Sequence, residues 1–301
     1  PTAFDVVLLD IQMPQTTGIE ICRILRATPG YADVPIVMLT AMTEHRFLHA
    51  AFVAGANDYI SKPFDLDDVK KRVSRERLVG QRRIPLKAGM VGALGVSDAA
   101  ASREVIRDLE DAIAFPKTDR FVTREAFETF ILQSAKQGST ALTLRAVKVA
   151  GVFDVFSRLD PQDFQAVIEE VARLISELTA DSEDILTHLG NGIFITARPG
   201  KGTFKADALS VAMANSTRLR DLSAGADVPR IVVGDPIDVS GDGKTDILTK
   251  LSHTLETAER AEEKTVGWST FREWMSLRKS VGQARARLDR STYESLLDDY
   301  V

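Results

Sequence analysis

Three short apolar runs, FDVVLLD (Phe4 to Asp10), VPIVMLT (Val34 to Thr40) and NDYISKP (Asn57 to Pro63), alternate with two helical patterns, GIEICRILRA and HRFLHAAFVAGA. Strands that are apolar at consecutive positions need cover on both faces, and intervening helices set them to pair in parallel. The alternation therefore restricts the first part of the chain to a doubly wound α/β sheet. In such sheets ligand chemistry gathers beyond the carboxyl ends of the strands. Those ends carry Asp10, Thr40 and Lys62. A carboxylate can accept a phosphoryl group, and a hydroxyl and an ammonium can hold its oxygens. Singly, each has an ordinary reading: an Asp before a turn caps, a Thr at a strand end packs, a Lys before Pro faces solvent. Their placement on three successive strand ends points to a site.

The stretches LLDIQMPQTTG, MLTA and ANDYISKPF resemble the second half of a two-component response-regulator receiver domain. The family's D-x-x-M-P-x-x-x-G stands here as Asp10, Met13, Pro14 and Gly18, and its Lys-Pro pair as Lys62 and Pro63. The resemblance implies that Asp10 is the phosphoacceptor, Thr40 the switch hydroxyl, Lys62 the cation paired with Asp10 and Tyr59 the switch aromatic, with a cis peptide before Pro63. It also implies Mg²⁺ as cofactor and a sensor histidine kinase or phosphotransfer protein as partner. Mg²⁺ favours six oxygens and one or two carboxylates. Asp10 and the backbone carbonyl of Gln12 can be offered here, whereas the family's acidic pair belongs to a first strand that would precede this chain's Pro1. The chain is accordingly expected to be a fragment, its receiver partial and one sheet edge left apolar and open.

This reading assigns 1–72 to the receiver and 73–116 to a connector. The connector opens with RVSRERLVGQRRIPLK, basic and interrupted by Gly80 and Pro85, and continues through the glycine-rich AGMVGALGVSD. SREVIRDLEDAIAF (Ser102 to Phe115) predicts a helix with Val105, Ile106, Leu109 and Ile113 on one face. It suits docking on a neighbouring domain or a coiled coil. Arg82 and Arg83 read as a solvated face rather than a nucleic-acid patch.

Residues 117–267 alternate differently: a helix capped by Thr123, the strand STALTLRAVKVAG, a helix from Pro161, a hairpin in ILTHLGNGIFITA, a helix over Ala206 to Leu222, a strand PRIVVGDPIDV and a helix from Thr245. This order resembles the GGDEF domain of diguanylate cyclases, an α+β fold of nucleotide-cyclase type. In the hairpin, Gly190, Asn191, Gly192, Ile193 and Phe194 take the place of the family's signature, Gly190 and Phe194 being the retained positions. Joining two GTP molecules needs divalent metal held by carboxylates. The family draws those acids from its first strand and its hairpin. Here Gly192 and Ile193 stand at the hairpin positions, and neither 185–205 nor 129–153 contains an Asp or Glu. The family's late lysine corresponds to Glu259, and its inhibitory R-x-x-D motif becomes Asp181 and Asp184, without the arginine. The resemblance therefore implies a catalytically silent, degenerate relative that serves in protein binding or dimerisation. The alternatives are an active diguanylate cyclase with displaced carboxylates, or a sensor of GTP or cyclic di-GMP without turnover.

Weaker signals carry less. GDGKTD (Gly241 to Asp246) lacks a P-loop's first glycine, with Asp238 in its place. Asp238, Ser240, Asp242 and Gly243 mimic the start of a calcium loop, but Thr249 stands where a bidentate Glu belongs. His188 has no acid or second ligand beside it and reads as structural. The tail, 268–301, holds Trp268, Trp274 and an amphipathic helix opened by a Ser291 and Glu294 capping box, suited either to its own chain or to a partner.

A chain of 301 residues suits two domains. A formal net charge of −5 gives nucleic acid no global attraction, so no DNA partner is expected. No apolar run is long enough for a membrane span. The single cysteine, Cys22, lies in an apolar helical pattern and is expected in the core, consistent with a cytoplasmic location. The expected assembly is a homodimer with an unknown output protein.

Overall fold

The computed structural model describes residues 4–41, 44–82, 108–115, 118–137, 141–200, 202–223, 227–239 and 244–266. The first unit forms β1 (Val7–Asp10), α1 (Gly18–Ala27), β2 (Ile36–Thr40), α2 (His45–Val53), β3 (Asp58–Ser61) and α3 (Leu66–Arg82). The strands pair in parallel in the order β1-β2-β3, as the alternation requires. Ile36, Val37 and Met38 of the central strand are wholly buried, and Leu48, Ala51 and Phe52 of α2 close one face. Thr17 and Glu20 form the capping box that opens α1, and Cys22 lies in the core as expected. Asp58, fully buried on β3, pairs with Arg72 and Arg75 and so fastens α3 to the sheet.

Helix α3 runs through Gly80 to Arg82, which corrects the expectation that the chain loosens from Val73 onward. A mid-helix glycine costs only about 1 kcal/mol, and ion pairs such as Arg72 with Asp68 and Lys70 with Asp67 support the helix from its first turn. The side chain of Arg82, and Arg83 itself, lie outside the described residues, as do 83–107.

The second unit contains α4 (Arg124–Gln137), β4 (Leu142–Ala150), α5 (Val152–Arg158), α6 (Pro161–Leu178), β5 (Ile185–His188), β6 (Ile193–Pro199), α7 (Ala206–Asn215), α8 (Thr217–Leu222), β7 (Arg230–Val233), β8 (Ile237–Val239) and α9 (Lys244–Val266). Its sheet is antiparallel, ordered β5-β6-β4-β7, with β8 also paired to β4. Leu142, Leu144, Ile195 and Ala197 share one apolar cluster with residues of α4 and α9. Val147, Val149, Leu186 and Phe194 share another with α6 and α7. Thr123 caps α4, its hydroxyl accepting the Ala126 amide at 3.3 Å.

The helix expected over Ala206 to Leu222 is two helices, because Ser216 leaves helical geometry and its side chain accepts the Leu219 amide to start α8. The strand expected through PRIVVGDPIDV is split between β7 and β8 by Gly234, Asp235 and Pro236, where Pro lacks the donor a ladder needs. Residues 240–243 and the tail from 267 lie outside the described residues. Among the described residues, no helix is long and apolar enough to cross a membrane.

The helix expected over Ser102 to Phe115 is not formed in its described part, 108–115, which is a turn followed by irregular chain. The Asp108 amide donates to the Asp111 carboxylate at 3.0 Å, and the Glu110 amide to the Asp108 carboxylate at 3.4 Å. Short acidic side chains thus take amides that a helix would use.

Candidate functional site

The register of the parallel sheet sets Asp10 beside Leu39 and Thr40 beside Ser61, so the three strands end together. Asp10, Thr40 and Lys62 gather at this edge, with Tyr59 just beneath it. One Asp10 oxygen accepts the Gln12 amide at 3.1 Å and the other pairs with the Lys62 ammonium. The Lys62 hydrogen bond, foremost, holds the Asp10 carboxyl below its ordinary value, while the half-buried side chain still reaches solvent. Thr40 is fully buried and its hydroxyl hydrogen-bonds Tyr59, whose phenol burial pushes up. The peptide before Pro63 is cis.

Gly18 explains the spacing of the motif. Its amide donates to the Ile11 carbonyl at 3.0 Å, bringing the start of α1 onto the end of β1. A Cβ there would stand 2.8 Å from the Asp10 carbonyl carbon and closer still to its oxygen, so only glycine fits.

An accessible carboxylate beside an ammonium can take an electrophilic group and keep the added charge balanced. It does not make a magnesium site by itself: Asp10 is one carboxylate with both oxygens engaged, and among the described residues no group of three or more His, Cys, Asp or Glu could hold a metal ion. The expected Mg²⁺ set is thus not assembled by these residues.

The hairpin residues lie in the second sheet. Strands β5 and β6 pair from Ile185 with Ala197 to His188 with Phe194, and Gly190, Asn191 and Gly192 all take positive φ. This turn is covered by 109–115. The Asn191 amide donates to the Leu109 carbonyl at 2.7 Å, and the Ile113 amide donates to His188 Nδ1 at 3.0 Å. A Cβ on Gly190 would strike the Glu110 backbone. Phe115 completes the cover against Phe121, His188 and Phe194. His188 is structural, as expected: because Nδ1 accepts a bond, the neutral ring carries its proton on Nε2, and burial depresses its pKa to about 3.

Of the remaining acids, Asp184 is buried and ion-paired with Arg198 at 2.6 Å, while Asp181 is exposed. Composition alone did not reveal Lys148. It is buried within β4 and ion-paired with Glu262 of α9, whose other oxygen accepts the Gly151 amide at 2.8 Å. Its sequence signal is a lysine set among apolar residues in LTLRAVKVA.

Residues 1–74 match the response regulator receiver domain family. The DNA-binding dual master transcriptional regulator RpaA of Synechocystis sp. is 38% identical over 84 residues, 28% of this chain and 34% of its own length. The DNA-binding response regulator MtrA of Mycobacterium leprae is 49% identical over 74 residues, 25% of this chain and 31% of its own. The chain thus spans about a third of the length of these two relatives. Among solved structures, the receiver domain of a signal transduction histidine kinase from Syntrophus aciditrophicus is 26% identical with a TM-score of 0.26, covering 29% of this chain and 67% of that one. The receiver domain of the sensor histidine kinase PA1611 from Pseudomonas aeruginosa, described with a magnesium ion in its active-site cleft, is 30% identical with a TM-score of 0.24, covering 25% and 62%. The N-terminal unit is a response-regulator receiver domain, and its sheet is the parallel sheet of that domain class.

Proposed function

We propose that this chain is a phosphorylation-regulated response regulator in which Asp10 accepts the phosphoryl group and the second unit is a non-catalytic, GGDEF-like output for protein binding or dimerisation. The observation that carries the first half is the accessible Asp10 carboxylate paired with Lys62 at the strand ends. An Asp10 oxygen attacks the phosphorus of a phosphohistidine on a sensor kinase or phosphotransfer protein. A P–O bond forms as the P–N bond breaks, and the imidazole leaves with a proton. Lys62 then pairs with the phosphoryl oxygens, and the Thr40 hydroxyl turns from Tyr59 to donate to them. The described residues do not complete a Mg²⁺ site; Asp10 and the Gln12 backbone carbonyl would hold the ion only together with further acidic groups.

The GGDEF-like reading of the second unit rests on the order of its elements and on Gly190 and Phe194 at the hairpin. Its silence is supported by Gly192 and Ile193 at the acid positions, by the cover of 109–115, and by Lys148 in the first strand. Incubation with GTP and Mg²⁺ followed by chromatography for cyclic di-GMP tests this. No product is expected, and appreciable turnover would establish the cyclase alternative instead. Calorimetry with GTP and with cyclic di-GMP is expected to show no heat; binding heat would favour the sensor.

RpaA and MtrA are named as DNA-binding, but the matches cover no more than 37% of this chain. We therefore keep the reading without DNA, supported by the net charge of −5. A mobility shift with genomic DNA fragments at physiological salt would reverse it. A cytoplasmic location follows from the same reading and is tested by fractionation.

A further inference from the structure

The receiver is joined to the second unit by more than the chain. Helix α2 packs against α4, and Leu48, Ala51 and Phe52 share one apolar cluster with Phe127, Phe130 and Ile131. Three rings of α2 meet Phe130: His45 at 5.5 Å, His49 at 6.4 Å and Phe52 at 5.8 Å between centroids, each edge-on. His45 and His49, four residues apart and therefore on one helix face, stack at 6.5 Å.

This seam is under-satisfied. The Nε2 atoms of both histidines are buried with no hydrogen-bond partner among the described residues, and so is the hydroxyl of Ser134, one turn past Phe130 on α4. Buried polar atoms in stable interiors are nearly always paired. Three unpaired atoms on two packed helices mark a contact that gives up polar hydration on closing and regains it on opening.

We propose that the α2–α4 seam is a proton-sensitive docking contact that holds the receiver against the second unit while His45 and His49 are neutral and releases it when they take up protons. The helix involved begins five residues after Thr40 and so follows directly from the phosphoryl-acceptor edge. The groups facing the rings do not neutralise an added charge. Glu183, on the chain just before β5, favours the charged form of both rings, and Asp184 beside it favours that of His49. Yet Glu183 is exposed, Asp184 is spent on Arg198, and Arg120 and the neighbouring imidazole oppose protonation. From α4 the rings meet Phe130. Burial dominates, and both imidazoles are held below the ordinary histidine value while docked.

The sign follows. Docking is unaffected by these groups above the undocked value of about 6.5 and weakens as pH falls below it, by up to about tenfold per histidine per pH unit. With both titrating, the docking constant falls by up to about a hundredfold per unit until the docked values are reached.

Small-angle scattering of the whole chain between pH 7.5 and 5.5 tests this, with H45Q/H49Q as the variant that cannot take up the protons. The wild type is expected to expand as pH falls, and H45Q/H49Q to hold one radius of gyration throughout. No wild-type expansion, or the same expansion in both, overturns the proposal. Should H45Q/H49Q be open already at pH 7.5, NMR titration of the two imidazoles in the wild type decides: midpoints clearly below the ordinary value sustain the proposal, and midpoints at or above it overturn it.

Discussion

Removing the carboxylate of Glu262 should break the ion pair that joins the buried Lys148 ammonium to α9. Lys148 is 1% exposed and Glu262 8% by side chain, so water cannot replace the lost partner. Breaking a buried pair from one side costs about 3–5 kcal/mol. In Glu262→Ala the Gly151 amide also loses its acceptor, a loss on the order of 1–3 kcal/mol that pushes the total toward the upper end. For a unit of roughly 150 residues each kcal/mol lowers Tm by about 2–4 °C, so its transition should fall by about 6–20 °C. Replacing both partners, as Lys148→Met with Glu262→Leu, removes the buried charge itself and should recover the part of the loss due to the pair, since apolar isosteres of buried pairs are often neutral, while the Gly151 amide still lacks its acceptor. Thermal and urea unfolding of the full chain by circular dichroism gives the sizes, and hydrogen exchange at β4 amides assigns the transition to this unit. A loss under about 1 kcal/mol for Glu262→Ala, or a double variant as damaged as the two singles summed, would refute the reasoning.

Three further outcomes are expected. Gly18→Ala should destabilise the receiver by about 1–3 kcal/mol through collision with the Asp10 carbonyl, read as a lower urea midpoint; an unchanged midpoint would contradict the close approach. Gly190→Ala combines positive φ with a clash against the Glu110 backbone and should free 109–113, speeding exchange of the Asn191 and Ile113 amides by roughly tenfold or more. His188 is neutral in the fold with its pKa depressed to about 3, so its contribution is intact above about pH 6.5 and is lost as pH falls from there toward 3. His188→Gln should therefore show a shallower acid slope of stability between pH 6 and 4, and an identical slope would count against the burial argument.

The receiver was legible because its signals are local: apolar runs of strand length, helical periods between them, and three chemical groups at fixed distances from strand ends. The buried Cys22 follows from the same helical period, and the cis Lys62–Pro63 peptide from the receiver resemblance. The segment 108–115 was not legible. Leu109 and Ile113 have helical spacing, but the Leu109 carbonyl and Ile113 amide bond the hairpin turn instead, a partner far away in sequence. That the hairpin carries no Asp or Glu is plain in the sequence, whereas its cover by the connector is not. The Lys148 pair was hidden for a similar reason, since only the packing of α9 on β4 brings Glu262 to it. Gly80 reads as a break on propensity alone, whereas ion pairs in the first turns hold α3.

The central claim is phosphorylation at Asp10, and intact-mass spectrometry of the protein tests it most directly. The protein is taken with whatever residues its gene encodes ahead of Pro1 and incubated with a small-molecule phosphodonor and Mg²⁺. The account predicts the mass of one added phosphoryl group on the wild type, mapped by fragmentation to Asp10, and none on Asp10→Asn. A wild type that gains no mass, or an Asp10→Asn variant that gains as much, would contradict it.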